Sequence, residues 1–298
     1  MKMPRRPLGL LPALLLLVLL GGCSLLPTTR KLPVPKQPTI TQTAAPEELV
    51  DRLNQRWAST NALTATVEIK ATELKSNEGV ARDFPSCRGF ILLRKPGMLR
   101  VVAQYFGVRI FELGSDGINF TLSIPQRNKA IAGSNKLEKR SANELENLRP
   151  GFFFDAMVVR GLDPDDYYSV SADTETIEDA QKKHLYITPE YVLNVTRHNP
   201  GSHIEIPVRV ITFHRDDLMP YQQDLYDDKG NLETQVYYAR YADFGGSKYP
   251  TLVTIKRPIE GIQIVLTVER VVENPDPPLK DSQFAIKLPD GTQIQHIE

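Results

Sequence analysis

From Gly89 to Gly133 apolar and polar residues alternate in short runs, and a turn residue separates each run from the next. The runs are Phe90–Leu93, Met98–Tyr105, Val108–Leu113, Ile118–Ile124 and Lys129–Ala132. The breaks are Lys95-Pro96-Gly97, Phe106-Gly107, Ser115-Asp116-Gly117 and Pro125-Gln126-Arg127-Asn128. A period of two is the strand period, and Asp-Gly between apolar flanks is a hairpin signal, so the stretch predicts a β-meander. Leu99, Val101, Ala103 and Tyr105 share one face of it, as do Ile118, Phe120, Leu122 and Ile124, and that face needs a cover.

Two segments have helical spacing instead. Pro46 at a first helical position, Glu47 and Glu48 in the first turn, and Leu49, Leu53 and Trp57 four apart predict an amphipathic helix over Pro46–Thr60. A long strand, Ala62–Leu74, follows it. Ser141–Glu144 reads as the capped start of a short helix, and Gly151–Arg160 as a second one, apolar nearly all round, that Gly161 stops. Strand patterns then fill the rest: Tyr167–Ser171, Lys183–Thr188, Tyr191–Thr196, Ile204–Phe213, Pro220–Tyr226, Leu232–Ala242, Tyr249–Lys256, Ile262–Val272 and Phe284–Leu288. The fold class is therefore mainly β, one antiparallel sheet of about ten to twelve strands with helical elements. A sheet that large must curl, giving an incomplete, unclosed β-barrel with an α-helical lid. Its apolar face would hold Leu99, Val101, Ile110, Phe120, Leu122, Val208, Val236, Ile264 and Leu266, with Leu53, Trp57, Phe153 and Met157 on the lid. A filled interior makes this a plain β core; an unfilled one makes it a lipid pocket.

Composition places few limits on that picture: 298 residues, 41% hydrophobic and 24% charged, are ordinary globular usage. The ends change it more. Lys2, Arg5 and Arg6, the apolar run Leu8–Leu20 and the close Leu20-Gly21-Gly22-Cys23 resemble a bacterial lipoprotein signal peptide with its lipobox. The run is short for a membrane span. The resemblance implies cleavage before Cys23 and acylation of that cysteine. Several acyl chains would give stable anchoring, and Ser24 in place of aspartate favours the outer membrane, facing the periplasm. Residues 1–22 are then a signal peptide and 23–45 a Pro-rich tether reaching up to about 60 Å, with the folded part at 46–298. Without the signal peptide the chain carries 33 basic and 36 acidic residues, which gives nucleic acid nothing to bind. Cys87 is left without a disulfide partner and reads either as a buried small hydrophobe or as a thiol with chemistry.

An enzyme is not what the remaining residues suggest. His184, His198, His203, His214 and His296 form no HExxH, there is no GxSxG, and no cysteine pair ligates a metal. His203, His214 and Asp216 could meet across strands, but scattered polar strand residues do that without chemistry. Asp163-Pro164-Asp165-Asp166 and Asp227-Asp228 lack EF-hand spacing and read as acidic turns. No cofactor is called for.

Gly89, Leu92, Lys95-Pro96, Leu99-Arg100, Ser115-Asp116-Gly117, Pro125 and Ala130 together resemble the LolA family of lipoprotein carriers. So do Tyr249-Pro250 and the ending Leu288-Pro289-Asp290-Gly291. The lipobox, Tyr105-Phe106-Gly107 and Arg160-Gly161-Leu162 are similar to the outer-membrane receptor branch, LolB. The resemblance spans nearly all of residues 46–291 through short motifs. The chain is longer than either relative. It implies a half-barrel that takes acyl chains of lipoproteins or other lipids, receives them from a periplasmic carrier protein and acts as a monomer. It also implies that Phe106, with Tyr105, is an apolar tip delivering cargo to the membrane. Related folds bind other lipids or act as sensors, and a structural or interaction lipoprotein with a packed core is the alternative.

Overall fold

The computed structural model describes residues 41–75, 79–136, 147, 149–178 and 185–297. Cys23, most of the tether, Ser141–Glu144 and His184 lie outside them. Residues 176–178 and 185–187 belong to a compact unit of their own, and the description below concerns the other, Pro38–Glu175 and Thr188–Glu298.

Contact with the sheet starts ahead of the first helix. Gln42 N–H donates to Arg215 O at 2.6 Å, and Ala44 N–H to Tyr191 Oη at 3.3 Å. Helix α1 (Pro46–Ser59) has proline and two glutamates at its start and Arg56 in its last turn, charges that suit its ends. It stops where Thr60 adopts an extended backbone, and its buried residues are Leu49, Val50 and Leu53.

The strands are β1 (Ala62–Lys75), β2 (Val80–Asp83), β3 (Cys87–Arg94), β4 (Met98–Tyr105), β5 (Val108–Ser115), β6 (Asn119–Ile124) and β7 (Lys129–Ser134). After helix α2 (Gly151–Met157) come β8 (Asp166–Glu178), β9 (Leu185–His198), β10 (Glu205–His214), β11 (Pro220–Tyr226), β12 (Leu232–Asp243), β13 (Lys248–Arg257), β14 (Ile262–Glu273) and β15 (Gln293–Ile297). They form one unclosed sheet in the order β15-β7-β6-β5-β4-β3-β1-β14-β13-β12-β11-β10-β9-β8, with β2 paired to β1 off this path. Antiparallel registers run from β7 through to β9, and β15 is parallel to β7. The architecture is mainly β with two helices, as expected.

Directly opposed residues show how the alternation becomes a wall. Leu122, Leu113, Val101, Ile91 and Ala65 make one cross-strand row. Ile264, Ile255, Val236, Gln223, Ile211 and Leu193 make another. Residues of β1, β3–β6 and β12–β14 from this face share a single buried cluster with Phe152, Phe153, Phe154, Ala156 and Met157 of α2. Flat, the eight strands from β6 to β12 would spread over about 34 Å at about 4.8 Å per step. A seven-residue helix is about 10 Å long. An unclosed sheet of this many strands must curl, and the face on which α2 packs is its concave one.

Several expectations are corrected here. Pro189 does not divide two strands; Leu185–His198 is one. Phe284–Leu288 is no strand: Asp281–Gln283 is a 3-10 turn, and the chain then crosses the outer face of the sheet. Arg94 Nη1 donates to Leu279 O at 2.7 Å, Arg100 Nη1 to Gln283 O at 2.9 Å, and Leu279 and Phe284 pack on Ala62, Leu92 and Met98. The crossing needs Gly114, where a Cβ would stand 2.5 Å from Phe284 O. The strand that ends the chain is the short polar β15 instead. Helix α2 ends at Met157, three residues early, because Val158 is extended (φ −137°, ψ 112°).

Candidate functional site: a plugged concave face and an exposed hairpin tip

Of the nine wall residues predicted from alternation, Leu99, Val101, Phe120, Leu122, Val236, Ile264 and Leu266 lie in or against the cluster around α2. Ile110 and Val208 do not line it. Ala103 pairs with Phe111 and Gln104 with Arg109, so Ile110 is the extra residue of a β-bulge, and Phe111 takes the inward place. Pro207 pairs with Thr196 and Arg209 with Val195, which leaves Val208 as a second bulge residue. It packs in a separate cluster with Leu49, Val50 and Leu53 of α1 on β9 and β10. Among the lid residues, Phe153 and Met157 sit in the main cluster, Trp57 packs at its edge, and Leu53 belongs to the other.

Helix α2 is held from the wall by side chains that bond its main chain. Tyr249 Oη donates to Met157 O at 2.6 Å, and Gln223 Nε2 to Asp155 O at 3.0 Å. Arg209, 5% exposed, donates to Arg160 O at 2.7 Å and to Gly161 O. Burial raises the Asp155 carboxyl above its ordinary value, with Arg160 beside it pulling the other way. From above, Trp57 of α1 meets Phe154 edge-on, ring centroids 6.4 Å apart, and Asn54 Oδ1 accepts from Leu162 N–H at 2.8 Å. Lys95 lies over the Trp57 ring at 3.7 Å, and burial lowers its ammonium pKa.

Among the described residues, the opening seen under α1 and α2 is small. A void of about 30 Å³ lies among Arg56, Thr60, Leu63, Met157, Tyr238 and Tyr249, room for about one water. Small-molecule sites usually take about 300–1,000 Å³. Among the described residues the apolar face is covered by the chain's own α2 in this conformation, so an acyl chain reaches those wall residues where α2 leaves.

The tip is built differently. Phe106 and Gly107 join β4 to β5 as a two-residue turn with both φ positive, +47° and +78°, the geometry of a tight hairpin that usually selects Asn-Gly. A bulky residue is strained there. Phe106 is nonetheless present and 90% exposed, with Tyr105 packed against it at 4.6 Å and Val108 exposed too. Behind the tip an open depression of about 520 Å³ runs along the outer face, lined by Glu68, Ser86, Arg88, Phe90, Tyr105 and Phe106. Cys87 also borders it, and burial raises its thiol pKa, which makes the thiolate scarce.

Of the residues considered for chemistry, His203 lies apart from His214, while Asp216 stays within electrostatic reach of His214. His203 and His214 flank opposite ends of the ten-residue β10, more than about 30 Å apart along the strand. Asp163 and Asp166 pair with Arg197 at 3.3 and 2.8 Å, and Asp227 caps its own turn at Lys229 and Asn231. His214 instead meets Glu190, Nε2 to Oε1 3.3 Å, a neighbour the sequence did not suggest. Burial, with Glu175 and Asp173 adding to it, pushes the Glu190 carboxyl up from 4.5 to about 7. The folded chain therefore keeps a proton that the unfolded chain releases between those values, and stability falls as pH rises through that window. Glu190→Gln is expected to remove this slope, leaving the variant more stable than wild type at pH 8 and equal to it at pH 4 in urea denaturation.

The sequence matches no protein-family model and no curated protein. Solved structures similar to it include a LolA superfamily protein from Nitrosomonas europaea, 14% identical, covering 82% of this chain and 99% of that one, TM-score 0.49. A DUF1329 family protein from Desulfovibrio piger is 16% identical over 80% of this chain and 94% of its own, TM-score 0.46. A putative outer membrane lipoprotein-sorting protein domain from Vibrio parahaemolyticus is 13% identical over 79% and 92%, TM-score 0.41.

Proposed function

We propose that this chain is a lipid- or lipoprotein-handling protein of the cell envelope, of LolB type. Cys23 carries the acyl anchor on the outer membrane. Acyl chains lie against Leu99, Val101, Phe120, Leu122, Val236, Ile264 and Leu266 when α2 withdraws, and they pass to the membrane at the Phe106 tip. No cofactor is involved, and the donor is a periplasmic carrier. The observation that carries this reading is Phe106 itself: a large apolar side chain kept in a left-handed turn and turned out to water serves neither the fold nor solubility. It suits a surface that is apolar a few ångströms below its headgroups.

Replacing Phe106 with Asn, at home at positive φ, separates the two roles. Phe106→Asn is expected to raise unfolding free energy by about 1 kcal/mol. In the unacylated Cys23→Ser background it should weaken binding to phosphatidylethanolamine–phosphatidylglycerol vesicles about ten- to hundredfold, the worth of one buried phenylalanine. Equal vesicle binding by both chains would take Phe106 out of the mechanism. The filled interior favours a second reading, a scaffold lipoprotein with a solid core. Native mass spectrometry of the protein extracted from its own membrane decides: bound acylated species support handling, and uniformly empty protein supports the scaffold.

A further inference from the structure

Three neighbouring strands each bring one metal-ligating side chain to a single spot, away from both the plugged face and the tip. His214 of β10 is directly opposite Glu190 of β9, and Glu175 comes from the adjacent β8. One ligand atom from each lies within 4.8 Å of the other two. Tyr191, Leu193, Ile211 and Phe213 pack inward under α1, so strand alternation puts Glu190 and His214 on the outer face.

We propose that Glu175, Glu190 and His214 form a binding site for a divalent transition-metal ion of the zinc class.

The donor set is one imidazole and two carboxylates, which zinc accepts at about 2.0–2.2 Å. Tetrahedral ligands at that length stand about 3.3–3.6 Å apart. The His214–Glu190 separation, 3.3 Å, already has this value. The separations to Glu175 are at most 4.8 Å, and its side chain, exposed at the strand that ends the sheet, is free to rotate toward the pair. Two carboxylates and a neutral imidazole balance a 2+ ion. Asp173, Asp216 and Asp217 add negative field around the pair, while the neighbouring Arg215 is engaged elsewhere, donating to Gln42 O at 3.1 Å and lying over the Tyr191 ring.

The imidazole is also oriented. It stacks on Tyr221 at 3.5 Å with an 11° tilt, and Tyr221 Oη donates to Asp217 Oδ2 at 3.0 Å, so the plane of the ring is set by a tyrosine that is itself held. Burial lowers the His214 pKa and raises that of Glu190. Calcium fits poorly, because it needs six to eight oxygens and this site offers an imidazole nitrogen and two carboxylates.

The test uses the full chain, stripped with a chelator and titrated with zinc chloride and, separately, calcium chloride by calorimetry at pH 7.5. The expected result is uptake of one zinc per chain and no calcium signal, with visible ligand-field bands when cobalt(II) is substituted. His214→Ala and Glu190→Gln should each weaken zinc binding at least tenfold. Glu175→Gln, on an exposed position that leaves folding intact, should do the same if either of the others misfolds. No stoichiometric zinc uptake overturns the site. So does uptake that all three variants leave unchanged, which would be adventitious binding at exposed histidines.

Discussion

Arg257→Ala is expected to lower the free energy of unfolding by about 3–5 kcal/mol, the cost of removing one partner from a buried ion pair. Arg257 is 4% exposed and Glu260 2% exposed, on the inward side of the β13–β14 turn. The guanidinium donates to both carboxylate oxygens, at 3.0 and 3.2 Å, to Thr234 Oγ1 at 2.8 Å and to Glu233 at 3.3 Å. It also lies 5.6 Å from the Phe152 ring, so one end of α2 rests on it. In the alanine variant Glu260 loses both of its guanidinium bonds. The double variant Arg257→Met/Glu260→Met removes both charges and should recover most of the loss. Urea denaturation at pH 7 checks it; a double variant as unstable as the alanine single would show that packing, not charge, sets the cost.

That pair marks a limit of what alternation alone conveys. Val253 and Ile255 face inward, and the same parity carries Arg257 in with them, as Ile211 and Phe213 carry Arg209. The signal was present in the sequence as a charge at an inward position, and a reading that equates inward with apolar passes over it. The meander, the helix starting at Pro46 and the Phe106-Gly107 turn were legible because each depends on residues a few positions apart. Ile110 and Val208 were misplaced for the complementary reason. A bulge costs one residue of parity, and nothing local in Arg109–Phe111 or Pro207–Arg209 announces it. The alternating apolar residues of Phe284–Leu288 resemble a strand, but the arginines of β3 and β4 that bond the chain just ahead of them are nearly two hundred residues away. Whether the wall encloses space was beyond pattern altogether, because it depends on how three consecutive phenylalanines and a methionine of α2 fill a curve set by eight strands.

The fate of that filling separates a carrier from a scaffold, and Phe154 is where to press. Its ring is 1% exposed, between the wall, Trp57 and Arg160. Phe154→Ala is expected to cost about 3–5 kcal/mol of packing. In a carrier the closed state competes with cargo, since apparent affinity is the intrinsic affinity reduced by the fraction of molecules whose α2 is withdrawn. Weakening the plug raises that fraction, and every 1.4 kcal/mol released becomes a tenfold gain in binding. The bonds from Tyr249 and Gln223 to the main chain of α2, and from Arg209 to Arg160 O just beyond it, do not prevent this, because water replaces such partners at a net cost of about 1 kcal/mol each. The variant should therefore be less stable to heat yet bind a fluorescent fatty acid at least tenfold more tightly than wild type. Hydrogen exchange should quicken in residues 151–158 well before it does at Leu99 and Val101. A variant that is merely less stable, with no gain in acyl binding and with exchange rising equally through α2 and β4, would mean that α2 is core and the concave face never opens.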